Sequence, residues 1–227
     1  MSDKMGKDRV RKHFEEIAGD YDRWKEKASY YYGLLADIYR KLVPPESSVL
    51  EVGCGTGTLL SRLQPSRGVG IDISSRMVEI AAARHSHLTF RVADAENFDL
   101  AETFDYVIAP DVVEHLSDVG AMFRSVRRCM RPDSRLIVTC VNPLWAPVLH
   151  LAERLGLKMP EGEHRWLSAG RLTEEADRAG LQPEASYGRI LCPKKIPLVA
   201  PLLNRTAAEV GALRSLCLIH VLVLSPR

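Results

Sequence analysis

Residues 49–57, reading VLEVGCGTG, run from a short apolar segment through Gly53, Gly55 and Gly57 into a helical pattern. That order predicts a buried parallel strand over residues 48–52, a tight turn, and a helix opening directly after it. Without Cβ atoms, the glycines let a ligand rest on the backbone. The spacing is G-x-G-x-G, and Thr58 stands where the G-x-G-x-x-G fingerprint of dinucleotide folds has its last glycine. Glu51 precedes the turn, and a carboxylate there repels phosphate but attracts an ammonium or sulfonium group.

Strand and helix patterns then alternate to about residue 141, as in a doubly wound α/β sheet. Strands are expected at 68–72, 88–92, 104–109 and 135–141, and helices near 57–64, 74–84 and 117–130. Asp72, Asp94 and Asp111 follow successive strands, at the carboxyl ends where open α/β sheets bind ligands. Asp72 lies fifteen positions after Gly57, near the roughly twenty-residue gap of a ribose-binding acid. Asp94 could accept a hydrogen bond from an adenine amino group. Taken singly, either acid could instead cap a helix or turn; together with the glycine turn they point to a nucleoside site.

A chain of 227 residues suits one α/β domain with modest elaboration. Residues 1–45 are expected to form an amino-terminal helical lid: a frayed start to residue 7, a helix from Asp8 to Gly19, then one ended by Pro44-Pro45. The main domain takes 46–227, with insertions at 142–170 and 192–215. Within the first insertion, residues 144–157 have helical periodicity, and Thr173 is expected to cap the next helix. Final strands are expected at 183–191 and 216–224. Net charge is +2, so no global field argues for nucleic acid. Five scattered cysteines without a C-x-x-C pair suggest reduced thiols in a cytoplasmic protein and no metal site. The polar amino terminus carries no signal-peptide pattern.

The VLEVGCGTG stretch resembles motif I of the class I S-adenosylmethionine-dependent methyltransferases. HFEEIAGDYDRW, residues 13–24, looks like the entry helix of their small-molecule branch (type 11/12-like), which serves quinone, sugar and natural-product pathways. The likeness covers roughly residues 8–190. It implies a Rossmann-like, seven-stranded, mostly parallel sheet whose last strand is antiparallel. S-adenosylmethionine is the implied cofactor and S-adenosylhomocysteine the product. By the same resemblance Glu51 and the 53–57 backbone, with Cys54 as a small filler, hold the methionine part. Asp72 takes the ribose and Asp94 with Ala95 the adenine edge, while Ile73 and Met77 pack on the ring, although Met77 could equally be ordinary helix core. Tyr21 lies close to the cofactor, and Pro110 and Asp111 lie near the transferred methyl. Pro132-Asp133-Ser134 stands where the family commonly has Pro-Gly-Gly, which reads as structural drift.

Methyl transfer from a positive sulfur is an in-line displacement, so the protein must align the nucleophile, exclude water and remove a proton where needed. His115 is the candidate base, since imidazole titrates near pH ~6.5; alternatively it bonds a neighbouring carbonyl. Asp111 is the other candidate catalytic group. Tyr31, Asn142, His164 and Trp166 are the candidate acceptor-binding residues, although His164 could sit in a solvated loop and Tyr31 in the core. The expected acceptor is a hydroxyl of a sugar, lipid-linked glycan or natural product. Nitrogen or carbon of a quinone-like molecule or amino-sugar is the alternative, and a silent cofactor-binding regulator is a third reading. Residues 192–215, apolar with Lys194, Lys195, Arg205 and Arg214, form either a weak membrane-surface contact or a helix pair on the sheet edge. A monomer or homodimer is expected.

Overall fold

The computed structural model describes residues 2–160, 162 and 165–227. Seven strands form one sheet in the order β3-β2-β1-β4-β5-β7-β6. They are β1 (Ser48–Val52), β2 (Arg67–Asp72), β3 (Thr89–Val92), β4 (Phe104–Pro110), β5 (Met130–Val141), β6 (Leu181–Arg189) and β7 (Ile219–Pro226). The first five are mutually parallel, and β7 runs antiparallel between β5 and β6. Strand order reverses at β1, between β2 and β4, which opens a crevice at the carboxyl ends.

Alternation along the central strands explains why both faces are covered. Leu50, Val107, Leu136 and Val138 point into one apolar layer with helices α6 (Val119–Arg128) and α8 (Ala169–Arg178). Their neighbours Val49, Ile108 and Ile137 point into the other, against α3 (Ser29–Leu42) and α4 (Thr58–Arg62). The remaining helices are α1 (Ser2–Ile17), α2 (Tyr21–Lys27), α5 (Ser75–Arg84), α7 (Ala146–Arg154), α9 (Val199–Glu209) and α10 (Gly211–Arg214).

Four expectations need correction. The first helix starts at Ser2 and not at Asp8, so Lys7 lies inside it. A separate short helix, α2, precedes α3; its seven residues include none that is buried, leaving no apolar period to read. β5 begins at Met130 because buried Ser134 stitches an irregular register, accepting from the Arg131 amide and donating to the Phe104 carbonyl. Helix α8 is capped by Ser168, whose hydroxyl accepts from the Arg171 amide at 3.3 Å, while Thr173 lies within the helix and bonds the Ala169 carbonyl.

Candidate active site

The turn after β1 is shaped by contacts that a Cβ would destroy. Gly53 has φ +73°, and a Cβ on it would lie 2.6 Å from Val112 Cγ2. Gly57 has φ +75° at the start of α4, and its Cβ would lie 2.6 Å from Phe90 Cζ. Gly57 therefore serves packing and is not among the residues that line the cleft; Gly53, Cys54 and Gly55 are. The Cys54 thiol is buried, and burial pushes its pKa well up, so it fills space as a neutral group.

Two carboxylates, Glu51 buried and Asp72 half-buried, face this turn from adjacent strands. Glu51 accepts from the Leu60 amide at 3.1 Å and is 2% exposed. Burial pushes its carboxyl up to about 8, although Lys25 and the Leu60 amide oppose the shift. Asp72 accepts from the amides of Gly55 and Ser74 at 2.8 and 2.9 Å, and burial raises its pKa against those bonds. Lys25 of α2 is held over the rings of Tyr21 and Tyr32, at 4.5 and 4.9 Å from their centroids. Asp94 holds the adjoining rim, accepting from the Glu96 amide and from Lys7 Nζ, both at 2.9 Å.

The far side of the cleft is built on the end of β4. Asp111 has φ +48°, a left-handed conformation that Asp tolerates better than bulky residues do. Its carboxylate accepts from Tyr31 Oη at 2.6 Å and from Thr139 Oγ1 at 2.8 Å, and Tyr39 Oη in turn donates to Thr139 Oγ1 at 3.1 Å. Glu114 is buried and accepts from the Val141 amide at 2.6 Å. His115 meets the Phe14 ring edge-on, with centroids 5.0 Å apart.

Together these groups enclose a cleft of about 390 Å³. It is lined by Tyr21, Tyr31, Ile73, Met77, Ala95, Pro110, Asp111 and His115 as well as Glu51, Asp72 and Asp94. Asn142 stands outside it: its amide donates to the carbonyls of Ser215 and Cys217 and its oxygen accepts from the Leu144 amide. Trp166 faces a neighbouring hollow beside His150. His164 falls outside the described residues.

Lys7, Lys25, Glu96, Tyr39 and Thr139 were not among the residues singled out from sequence. Thr139 had a readable signal, being a hydroxyl within an otherwise apolar strand, LIVTCV. Lys7 had only its place in a basic run, which by default is a solvated face.

Strand order, the switch point at β1 and the glycine-lined cleft with acids at three strand ends define a Rossmann-like methyltransferase fold. The family described as a methyltransferase domain matches residues 26–186. The chain belongs to the class I S-adenosylmethionine-dependent methyltransferases of the small-molecule type. Ubiquinone biosynthesis O-methyltransferase of Bradyrhizobium diazoefficiens is 35% identical over 52% of this chain and 50% of its own length. Malonyl-[acyl-carrier protein] O-methyltransferase of Hahella chejuensis is 31% identical over 79% of this chain and 66% of its own. The chain thus spans about half the length of the first of these curated relatives. Among solved structures, a Thermotoga maritima methyltransferase superposes with TM-score 0.70 at 21% identity, covering 96% of this chain and 100% of the other. Magnesium protoporphyrin IX methyltransferase of Synechocystis PCC 6803 gives TM-score 0.68 at 18% identity, covering 96% and 98%. At those identities the likeness shows the fold alone.

The family's cofactor fits the donor set. Glu51 and Asp72 are acceptors when ionised, and burial raises the pKa of each, so a ligand bringing an ammonium, a positive sulfur and ribose hydroxyls would satisfy them.

Proposed function

We propose that this protein transfers a methyl group from S-adenosylmethionine to a hydroxyl of a small, largely apolar acceptor of the phenol or quinone type. The single observation carrying the acceptor side is the Tyr31–Asp111–Thr139 cluster, a fixed polar group in an aromatic-rich wall. A sugar would need many polar partners, whereas Phe14, Trp24 and Tyr30 to Tyr32 offer ring faces and edges. Oxygen as the acceptor atom is supported by the O-methyltransferase names of the Bradyrhizobium and Hahella relatives.

Bound S-adenosylmethionine supplies a methyl on a positive sulfur for in-line displacement. Glu51 and the 53–55 backbone would hold its methionine part, Asp72 the ribose, and Asp94 with Ala95 the adenine edge. Ile73 would pack on the ring, with the buried Met77 behind it, and Tyr21 closes over Gly55. Asp111 orients the acceptor hydroxyl, with Tyr31 and Thr139 holding the carboxylate still. His115 takes the hydroxyl proton at an imidazole nitrogen. Helices α1 to α3 act as a lid that excludes water, since Lys7, Phe14, Tyr21 and Tyr31 all reach the cleft from them.

The test begins with calorimetric titration of S-adenosylmethionine, S-adenosylhomocysteine and NAD. Micromolar binding of the first two alone should be followed by labelled methyl transfer to catechols and hydroquinones. His115→Ala should keep cofactor affinity and lose turnover. No binding of either sulfur nucleoside would sink the reading, and methylation confined to amines would overturn oxygen as the acceptor.

A further inference from the structure

Beyond the cleft, one surface is more apolar than an exposed surface of a monomer needs to be. Leu144, Val148, Leu151 and Leu155 recur at helical spacing along α7 and its ends, and each is more than half exposed. A second apolar surface lies in the insertion around α9, where Leu202 is exposed and Leu198 is 88% exposed. Leu198 is also held at φ +64°, an unusual conformation for a bulky side chain with no burial to compensate it.

The two surfaces are tied together at their roots. Asn142 Nδ2 donates to the Ser215 and Cys217 carbonyls at 2.8 and 2.9 Å, and Trp145 Nε1 donates to the Leu216 carbonyl at 2.9 Å. Both also contribute to the cleft mouth, through Leu149 and Leu157 on one side and Lys194 and Lys195 on the other. Between residues 192 and 215 the sequence carries Lys194, Lys195, Arg205 and Arg214 against Glu209 as its one acid.

We propose that this rim docks the protein on the surface of an anionic phospholipid bilayer, with the cleft mouth turned toward the lipid. Apolar side chains at helical spacing enter the acyl boundary, and the lysines meet the headgroups. A second copy of the chain is a poorer occupant. A two-fold contact would bring the Lys194–Lys195 pairs of both copies onto one patch, where like charges repel. The attachment is interfacial, since no described helix is long and apolar enough to cross a bilayer. The inference does not rest on the methyl-transfer reading.

Flotation of the full chain with phosphatidylcholine vesicles, with and without about one third phosphatidylglycerol, tests it. About tenfold or more binding to the anionic vesicles is expected, collapsing at high salt. Leu151→Asp/Leu202→Asp should lower binding at least about tenfold while keeping the wild-type circular dichroism melt. Lys194→Glu/Lys195→Glu should abolish the preference for anionic lipid. The proposal is overturned by absent binding, by equal binding to neutral vesicles, or by binding that the leucine variant leaves unchanged. A dimer in sedimentation that the leucine variant dissociates, without vesicle binding, would assign the rim to a second copy instead.

Discussion

The Lys7 ammonium lies 2.9 Å from Asp94 Oδ2 and 2.7 Å from Glu96 Oε2, which ties the first helix to the turn after β3. Glu96 is buried, and its other oxygen accepts from the Ser117 amide at 2.7 Å. Desolvation pulls the Lys7 pKa down, but its bonds to Glu96 and Asp94 outweigh that and leave it raised. A second anchor on the same helix is Glu15, which accepts from the Ser75 amide at 2.8 Å.

Lys7→Met keeps the aliphatic stem and removes the charge, leaving Glu96 buried without this partner. The amides of α1 should then exchange about fivefold faster, equivalent to roughly 1 kcal/mol of local stability. Unchanged exchange in α1 would mean that Glu15 and apolar packing alone hold the helix.

Tyr31→Phe tests the polar cluster at the end of β4. Hydrogen bonds to charged acceptors are worth about 1.5–3 kcal/mol, so global stability should fall by that order. Asp111 keeps Thr139 as a donor, so its carboxylate should stay near its place. Turnover is expected to drop about tenfold or more with cofactor affinity within about twofold. Asp111→Asn is the control, because Asn also tolerates the left-handed conformation while losing the charge. Equal turnover in both variants and wild type would remove the cluster from the chemistry.

How far the sequence could be read follows from where its signals are local. β1, the glycine turn and the acids after β2 and β3 are legible because strand, turn and acid are neighbours in the chain. Asp111 was legible as a strand-end acid, but its partners Tyr31 and Thr139 lie 80 and 28 residues away. No periodicity announces such pairs. Asn142 was misleading in the same way: it directly follows β5, yet its amide turns to Ser215 and Cys217, far along the chain. Lys7 failed for another reason, since a lysine in a basic run reads as solvated until tertiary structure supplies buried Glu96 as its partner.

Gly57→Ala separates conformational strain from steric overlap. At φ +75° any Cβ is disfavoured, and this one would meet Phe90 Cζ at 2.6 Å. The two effects together should cost about 2–4 kcal/mol in urea unfolding. Gly156→Ala is the reference, since Gly156 has φ +68° but no atom within 4 Å of the added methyl. It should cost only about 1–2 kcal/mol. Equal losses at the two sites would show that Phe90 moves aside freely.

Glu51 makes both stability and cofactor affinity depend on pH, in opposite senses. Burial raises its carboxyl from 4.5 to about 8, so between those values the folded chain holds a proton that the unfolded chain has released. Its contribution to stability is therefore fully present below the unfolded value and is lost as pH rises through about 8. Glu51→Gln retains a carbonyl that can accept from the Leu60 amide and removes the ionisation. The variant should melt close to wild type near the unfolded pKa and above it in mild alkali, by an amount on the order of a few kcal/mol. A cationic ligand reverses the balance, because it stabilises the carboxylate. Affinity for S-adenosylmethionine should climb by up to about tenfold per pH unit toward 8 and then level. Calorimetry in buffers of different ionisation enthalpy should show proton release over that range, and Glu51→Gln should bind weakly with a flat profile. Tight, pH-independent binding by Glu51→Gln would transfer the electrostatic role to Asp72.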